Sequence, residues 1–342
     1  SLGPSAGIIA TLSLADGLAS QRLALQKYHS SLLESGEYWR QSMTRFDAQG
    51  RVDATLMSNL RIMRRTLINQ ISKRCDKSKE TITSVVHSLL SRSIFIKYLE
   101  ERKDSNGETV FPQGFYSNFF ESAKQYTDVL NSKEATYSLF RTLKEKFNGD
   151  TLQVSEAEIE IITQNDLDEL RTFILGDSEL ESKQLALWPF YSFDIIPIQL
   201  ISSIYELFFH LSDEDDEKGT YYTPLHLVNL VMDEVYPWEG EYKDTSFFDP
   251  SCGSGIFLVE AYRRLVCRWM SQNDVHTITC DQLNLLLKNS IFGVDINEEA
   301  IRVASFSLSL AMCDFLDPRS IWDKLSFPRL LDNNLISSDF FE

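Results

Sequence analysis

Apolar residues recur at helical spacing through much of the first half of the chain. Leu56, Leu60, Met63, Leu67 and Ile71 fall three or four positions apart, and Val85, Val86, Leu89, Leu90 and Phe95 repeat the pattern within Ile82 to Leu99. Each run predicts a helix with one buried stripe. Ser78, followed by Glu80, supplies a cap for the second helix. Asp104 to Gly107, Asn148-Gly149-Asp150 and Gly176-Asp177 are turn signals that break the helical stretches. Further along the period changes. Thr245 to Phe248 is a β-prone lead-in, Gly253 and Gly255 lie in a turn behind it, and Ile256 to Leu265 returns to helical spacing. A second strand-like run, Ser290 to Val294, ends in Asp295.

A strand, a glycine-bearing turn and a helix place backbone donors at the carboxyl end of a strand, where open α/β sheets bind nucleotide-like ligands. The ligand is therefore expected against the Asp249 to Gly255 turn, where glycine lets the backbone approach without a Cβ. The turn is not a dinucleotide fingerprint, because Leu258 stands where the third glycine belongs, and it lacks the lysine of a Walker loop. Asp295, at the tip of the second strand, is placed to accept both hydroxyls of a ribose. Its distance from Asp249 exceeds the usual ~20 residues, so an extra helical segment, roughly Tyr262 to Lys288, is expected between the two strands.

Motifs on either side sharpen this reading. Lys218-Gly219-Thr220-Tyr221-Tyr222-Thr223-Pro224 lies upstream, with Ile291-Phe292-Gly293-Val294-Asp295-Ile296-Asn297 and Asn334-Leu335-Ile336-Ser337-Ser338-Asp339-Phe340 downstream. With the glycine turn, and in that order, the set resembles the amino-terminal half of the catalytic region of adenine-specific DNA methyltransferases. These occur as modification subunits of type I systems and as fused type IIG restriction-modification enzymes. The resemblance covers about Ile195 to Glu342, and Leu89 to Arg102 is similar to part of the helical domain that precedes the core in that family.

The resemblance implies S-adenosylmethionine as cofactor and a role for each matching position. Thr223 and Pro224, with Thr220 nearby, would face the methionine carboxylate. Asp249 and the backbone of Ser251, Cys252, Gly253, Ser254 and Gly255 would hold the methionine amine and carboxylate. Asp295 would bind the ribose, Ile296 would pack on the adenine ring, and Asp339 with Phe340 would contact the adenine amine and face. The fold implied is an all-α amino-terminal domain followed by α/β, the first half of a Rossmann-like S-adenosylmethionine-dependent methyltransferase sheet. Its expected parts are an amino-terminal segment over 1–50, read as the tail of a preceding domain, a helical domain over 51–212 and the cofactor-binding half of the methyltransferase domain over 213–342.

The family transfers its methyl group with a [DNS]-P-P-[YFW] tetrapeptide, and no such string occurs in these 342 residues. An exocyclic amine is a poor nucleophile, and enzymes that modify it flip the base out and orient the amine with polar acceptors. The chain is therefore read as a fragment, cofactor half present and catalytic half absent, with no methyl transfer expected from it alone. Ser1-Leu2, without an initiator methionine, reads as a cut start.

Composition constrains the partners. With 43% hydrophobic residues the chain can bury a real core, and no run reaches the ~20 apolar residues of a membrane span, so a cytoplasmic protein without a membrane partner is expected. Cys75, Cys252, Cys267, Cys280 and Cys313 contain no C-x-x-C pair, which argues for reduced thiols and no metal, with Cys252 read as packing. The five histidines show no ligand spacing.

A net charge of -17 argues against this stretch as an autonomous DNA binder, since DNA affinity rests on phosphate contacts. Residues 218–342 hold 10 bases and 18 acids, leaving 23 and 32 before them. One basic cluster stands out, Arg61, Arg64, Arg65, Lys73, Arg74, Lys77 and Lys79 against Asp76 alone, and it reads first as a solvated helix face and second as a phosphate contact. Glu101-Arg102-Lys103 has the form of a nuclease motif but lies at a helix end without a partner aspartate, and Asp213 to Glu217 reads as an exposed linker. The resemblance implies duplex DNA as partner through the full-length parent, with a specificity subunit or a fused recognition domain. Two other readings stay open: a protein-glutamine or RNA methyltransferase of the same fold, and a docking module with a decayed core.

Overall fold

A computed structural model describes residues 52–104, 106–150, 152–175, 223 and 225–341. The expected features at 1–50, Gly176-Asp177, Ile195 to Glu206, Asp213 to Glu217, Thr220 and Pro224 lie outside them, as does the expected boundary at 212 and 213. What is described is mostly helical, with one small parallel sheet.

Helices α1 (Val52–Arg74) and α2 (Lys79–Glu101) pack on each other, longer than their apolar runs at both ends. Leu60, Met63, Leu67 and Ile71 of α1 are buried, as are all five expected positions of α2. Ser78 caps α2 as expected, its side chain accepting from Thr81 N at 3.2 Å. α2 is buried nearly all round, Ser91, Arg92 and Ser93 included, because other helices cover the faces that α1 leaves free. Two of its buried polar side chains bond across to other helices: Arg92 Nη1 donates to Glu158 Oε1 at 2.7 Å, and Ser93 Oγ lies 2.8 Å from Tyr126 OH.

Among the described residues, four further α-helices follow in this part, α3 (Tyr126–Val129), α4 (Lys133–Phe147), α5 (Glu156–Ile161) and α6 (Gln164–Leu175). The turn at Asn148-Gly149-Asp150 forms where expected, with φ of 56° and 79° at its first two residues. It also joins the helices to the sheet region: Asp150 Oδ2 accepts from Ser305 Oγ at 2.8 Å and from the backbone of Leu330 and Leu331. Phe95 meets Phe147, Phe306 and Phe327 edge-on in one continuous core.

After α7 (Leu225–Val235) the chain enters the sheet region: β1 (Phe247–Asp249), α8 (Ile256–Gln272), α9 (Cys280–Ser290), β2 (Ile291–Asp295), α10 (Glu298–Cys313), α11 (Pro318–Lys324) and β3 (Leu335–Ser337). The strands are parallel in the order β1-β2-β3, with Phe247 opposite Ile291 and Gly293 opposite Leu335. The extra helical segment expected at roughly Tyr262 to Lys288 is helical but divided in two, and its bounds are corrected here. The helix after the glycine turn runs on from Leu265 to Gln272, and a separate helix starts at Cys280. Asp274, at φ 51°, breaks the run, and Thr279 recaps the chain by accepting from Gln282 N.

The basic cluster is not one solvated face. Arg64 is buried with its Nε donating to His87 Nε2 at 2.9 Å, Arg74 pairs with the buried Asp166, and Lys77 pairs with Glu160. Arg102 of the nuclease-like triplet donates to Tyr98 OH and Leu316 O, and Glu101 pairs with Lys97, so these groups serve the packing of α2. Among the described residues no helix is long and apolar enough to cross a membrane.

Candidate functional site

The sheet ends in two carboxylates that hold the glycine turn from either side. Asp249, the last residue of β1, accepts Ser251 N at 3.1 Å on Oδ1. Asp295, the last residue of β2, accepts Gly253 N on Oδ2 and Asn297 N on Oδ1, both at 2.9 Å. Cys252 N donates to Val294 O and Gly255 N to Cys252 O, so the turn is fastened to β2 and closed on itself. Each Asp295 oxygen keeps a second acceptor direction after these bonds.

The two turn glycines differ. A Cβ on Gly253 would meet nothing within 4 Å, whereas one on Gly255 would lie 2.8 Å from Ala304 Cβ of α10. Both have positive φ, 52° and 80°. Gly255 therefore lets α8 start against α10, and Gly253 presents bare backbone to open space. Gly293 in β2 is a second close approach, its Cβ position 2.7 Å from Leu258 and 2.9 Å from Cys252 Sγ. Cys252 is buried there, and burial first, then Asp249 and Asp295, push its thiol well above the usual range, which fits packing and not nucleophilic attack.

Large apolar side chains stand exposed around this turn. Ile296 is 76% exposed, Phe248 52% and Phe340 49%, with the two phenyl centroids 5.6 Å apart. Ser338 N donates to Asp295 O at 3.0 Å, which brings the segment after β3 to the end of β2. The structure thus gathers Asp249, Ser251 to Gly255, Asp295, Ile296 and Phe340 at the carboxyl end of the strands. Thr223 is half-buried just before α7, and Asp339 is exposed and accepts Phe341 N, a local turn contact. An apolar surface of this kind favours a flat apolar ligand group over water, while the carboxylates and bare amides suit hydroxyls and an amine. The side chains present therefore fit a nucleoside carrying an amino-acid tail.

Burial raises the Asp249 carboxyl, the Ser251 amide opposes this, and the charge of Asp295 adds to the rise. Asn297, Phe248, Arg264 and Arg268 escaped the sequence reading. Asn297 caps α10 by accepting Glu299 N and Ala300 N, a role signalled by its place before Glu298-Glu299. Phe248 showed only as an apolar strand residue. Arg268 gathers the carbonyls of Pro237, Glu239 and Glu241 and fixes the lead-in to β1, and Arg264 bonds Glu260, Asp233 and Tyr236 O. Nothing in their local spacing announces either arginine.

One buried group ties this site to the helices. His87 Nε2 accepts from Arg64, which requires a neutral ring with its proton on Nδ1, and Nδ1 lies 3.5 Å from Glu299 Oε2 in the first turn of α10. Burial holds His87 below its ordinary pKa, with Arg64 adding to this against Glu299. Burial would raise Glu299, but the hydrogen bond from His87, with the charge of Arg302, brings it below the ordinary value. Both contributions are complete above the unfolded values, about 6.5 and 4.3, and fade as pH falls. We expect stability in urea to drop between about pH 7.5 and 5.5 by up to ~1.4 kcal/mol more in the wild type than in His87→Gln. Equal pH dependence of the two proteins would contradict a neutral buried His87.

Residues 197–320 match the family model described as N-6 DNA Methylase. The chain is 40% identical over 96 residues to the adenine-specific methyltransferase PglX of Streptomyces coelicolor, covering 26% of this chain and 7% of that protein. It is 32% identical over 107 residues to the type I restriction enzyme MjaIX methylase subunit of Methanocaldococcus jannaschii, covering 31% of this chain and 16% of the subunit. The type IIL restriction-modification enzyme MmeI, solved in complex with DNA, superposes with a TM-score of 0.47 at 14% identity, covering 84% of this chain and 40% of that one. The matches bear out the resemblance carried by GTYYTP, DPSCGSGIF and GVDI. The chain spans a small fraction of the curated relatives it matches, 7% and 16%.

Proposed function

We propose that this chain is part of a DNA adenine methyltransferase of a restriction-modification system, contributing the half that binds S-adenosylmethionine, in the cytoplasm. The observation that carries this reading is the Asp295 carboxylate bonded to the Gly253 amide beside open space and exposed Ile296, Phe248 and Phe340. The parallel β1-β2-β3 order suits the first half of a Rossmann-like methyltransferase sheet. The helical part before 213 and the cofactor half after it form the two parts of this reading.

S-adenosylmethionine supplies an electrophilic methyl group on a sulfonium. Asp295 accepts the ribose hydroxyls on its remaining lone pairs. Asp249 and the backbone from Ser251 to Gly255 take the methionine end, with Thr223, and with Thr220 and Pro224 outside the described residues. Ile296 and Phe340 cover the adenine ring, and Asp339 takes its amine once it gives up its contact with Phe341 N. Duplex DNA is the substrate of the whole protein, positioned by a specificity subunit or a fused recognition domain.

Calorimetry on the 342-residue chain tests the cofactor assignment. S-adenosylmethionine and S-adenosylhomocysteine are expected to bind the same site, with ATP at least tenfold weaker because the turn lacks a phosphate-binding lysine (~1.4 kcal/mol). No binding of either, or equal binding of ATP, would overturn it.

A further inference from the structure

Among the described residues, three cations of α1 have no counter-charge. Arg61, Arg65, Asn69 and Lys73 are all exposed and occupy every fourth position, so they form one line along the helix at steps of about 6 Å. No acidic residue occurs in the helix after Asp53. Among the described residues Arg61, Arg65 and Lys73 form no ion pair, while Arg64 and Arg74 are bonded inward to His87 and Asp166. In a protein with 50 acids and 33 bases, an unneutralised basic line is out of keeping with the rest of the surface.

The line is also fixed to the proposed cofactor site. Arg64, between Arg61 and Arg65 in sequence, bonds His87, and His87 faces Glu299 at the start of α10, directly after Asp295 and Asn297. We propose that this face of α1 is a contact surface for the phosphate backbone of duplex DNA, with Arg61, Arg65 and Lys73 on the phosphates and Asn69, Ser58 and Ser72 as uncharged donors beside them. Backbone contacts of this kind set register and orientation without reading sequence. An anionic lipid surface fits less well, because interfacial helices pair their basic face with exposed large apolar side chains, and none of those exposed among the described residues lies on α1. The inference rests on the reading of the chain as part of a DNA-modifying enzyme.

The test compares the 342-residue wild type with the triple variant Arg61→Ala, Arg65→Ala, Lys73→Ala, and with a control of equal charge change, Lys103→Ala, Lys124→Ala, Arg141→Ala, also at exposed positions. Anisotropy with a fluorescent duplex between about 50 and 200 mM salt is expected to show weak binding by the wild type, on the order of 10–100 μM at the lower salt, because the net charge of -17 offsets part of the attraction of this line. The α1 triple variant should bind at least tenfold more weakly at low salt, its log–log salt slope shallower by about 2.7, roughly 0.9 for each lost phosphate contact. The control should lose much less affinity and keep its slope.

Equal losses in the two triple variants would overturn the assignment, as would a wild type that binds no duplex, or one that binds phosphatidylserine vesicles through α1 and no duplex. Calorimetry with S-adenosylmethionine on the same α1 variant should give wild-type affinity. The cofactor reading therefore fails or stands on that titration, and the DNA-contact surface on the other.

Discussion

Asp295→Ala is expected to weaken S-adenosylmethionine binding by ~2–4 kcal/mol, roughly 30- to 900-fold, the largest effect on affinity at this site. One carboxylate is assigned two tasks. It accepts Gly253 N and Asn297 N and so holds the turn and the start of α10 in place, and its remaining lone pairs meet the ribose hydroxyls. Removing it leaves two amides without their acceptor and the ribose without a charged partner. Asp295→Asn should fall between, since its amide oxygen replaces one acceptor and its amino group none. Calorimetry with the three proteins checks this, and an Asp295→Ala variant with unchanged affinity would remove the ribose assignment.

Substitution of the turn glycines should divide stability from binding. Gly255→Ala puts a methyl 2.8 Å from Ala304 Cβ and 3.1 Å from Ala304 Cα in a left-handed backbone. Overpacking and the left-handed conformation together cost about 2–5 kcal/mol, seen as a large fall in melting temperature. Gly253→Ala shares the left-handed φ but meets no neighbour, so ~1–2 kcal/mol of stability is expected to go. Its methyl instead enters the open space beside the turn, and cofactor affinity should fall at least tenfold, or ~1.4 kcal/mol. Thermal unfolding and calorimetry on both variants give the comparison. If Gly253→Ala binds the cofactor like the wild type, the ligand does not lie against that face of the turn.

Much of this site was legible because its residues are consecutive. Asp249 to Gly255 and Gly293 to Asn297 carry strand end, turn and helix cap in short strings, where local backbone rules suffice. The helices of the first half were legible for a similar reason, the spacing of Leu60, Met63, Leu67 and Ile71 being a property of one element. The errors came where distant residues decide the outcome. Arg64 and Arg74 looked solvated in sequence, and only the approach of His87 and Asp166 turns them inward. Arg92 and Glu158 are 66 positions apart, so no local pattern could show their pairing inside the core. The break between α8 and α9 was missed because Leu265 to Gln272 continues a helical run that only Asp274 and the Thr279 cap resolve.

The pairing of β1 with β2 and of β2 with β3 bears on the order in which a new chain acquires shape. α1 and α2 are neighbours in sequence and can meet soon after each is made. Phe247 reaches Ile291, and Gly293 reaches Leu335, only after a long loop has closed with its helices inside it. Loop closure on that scale carries an entropy cost before any strand contact offsets it, so folding that depends on it is slow. The helices should therefore form early and the sheet late. For an interval after synthesis the protein would be largely helical yet without the proposed cofactor site, because the Asp295 to Gly253 bond needs both strands in register.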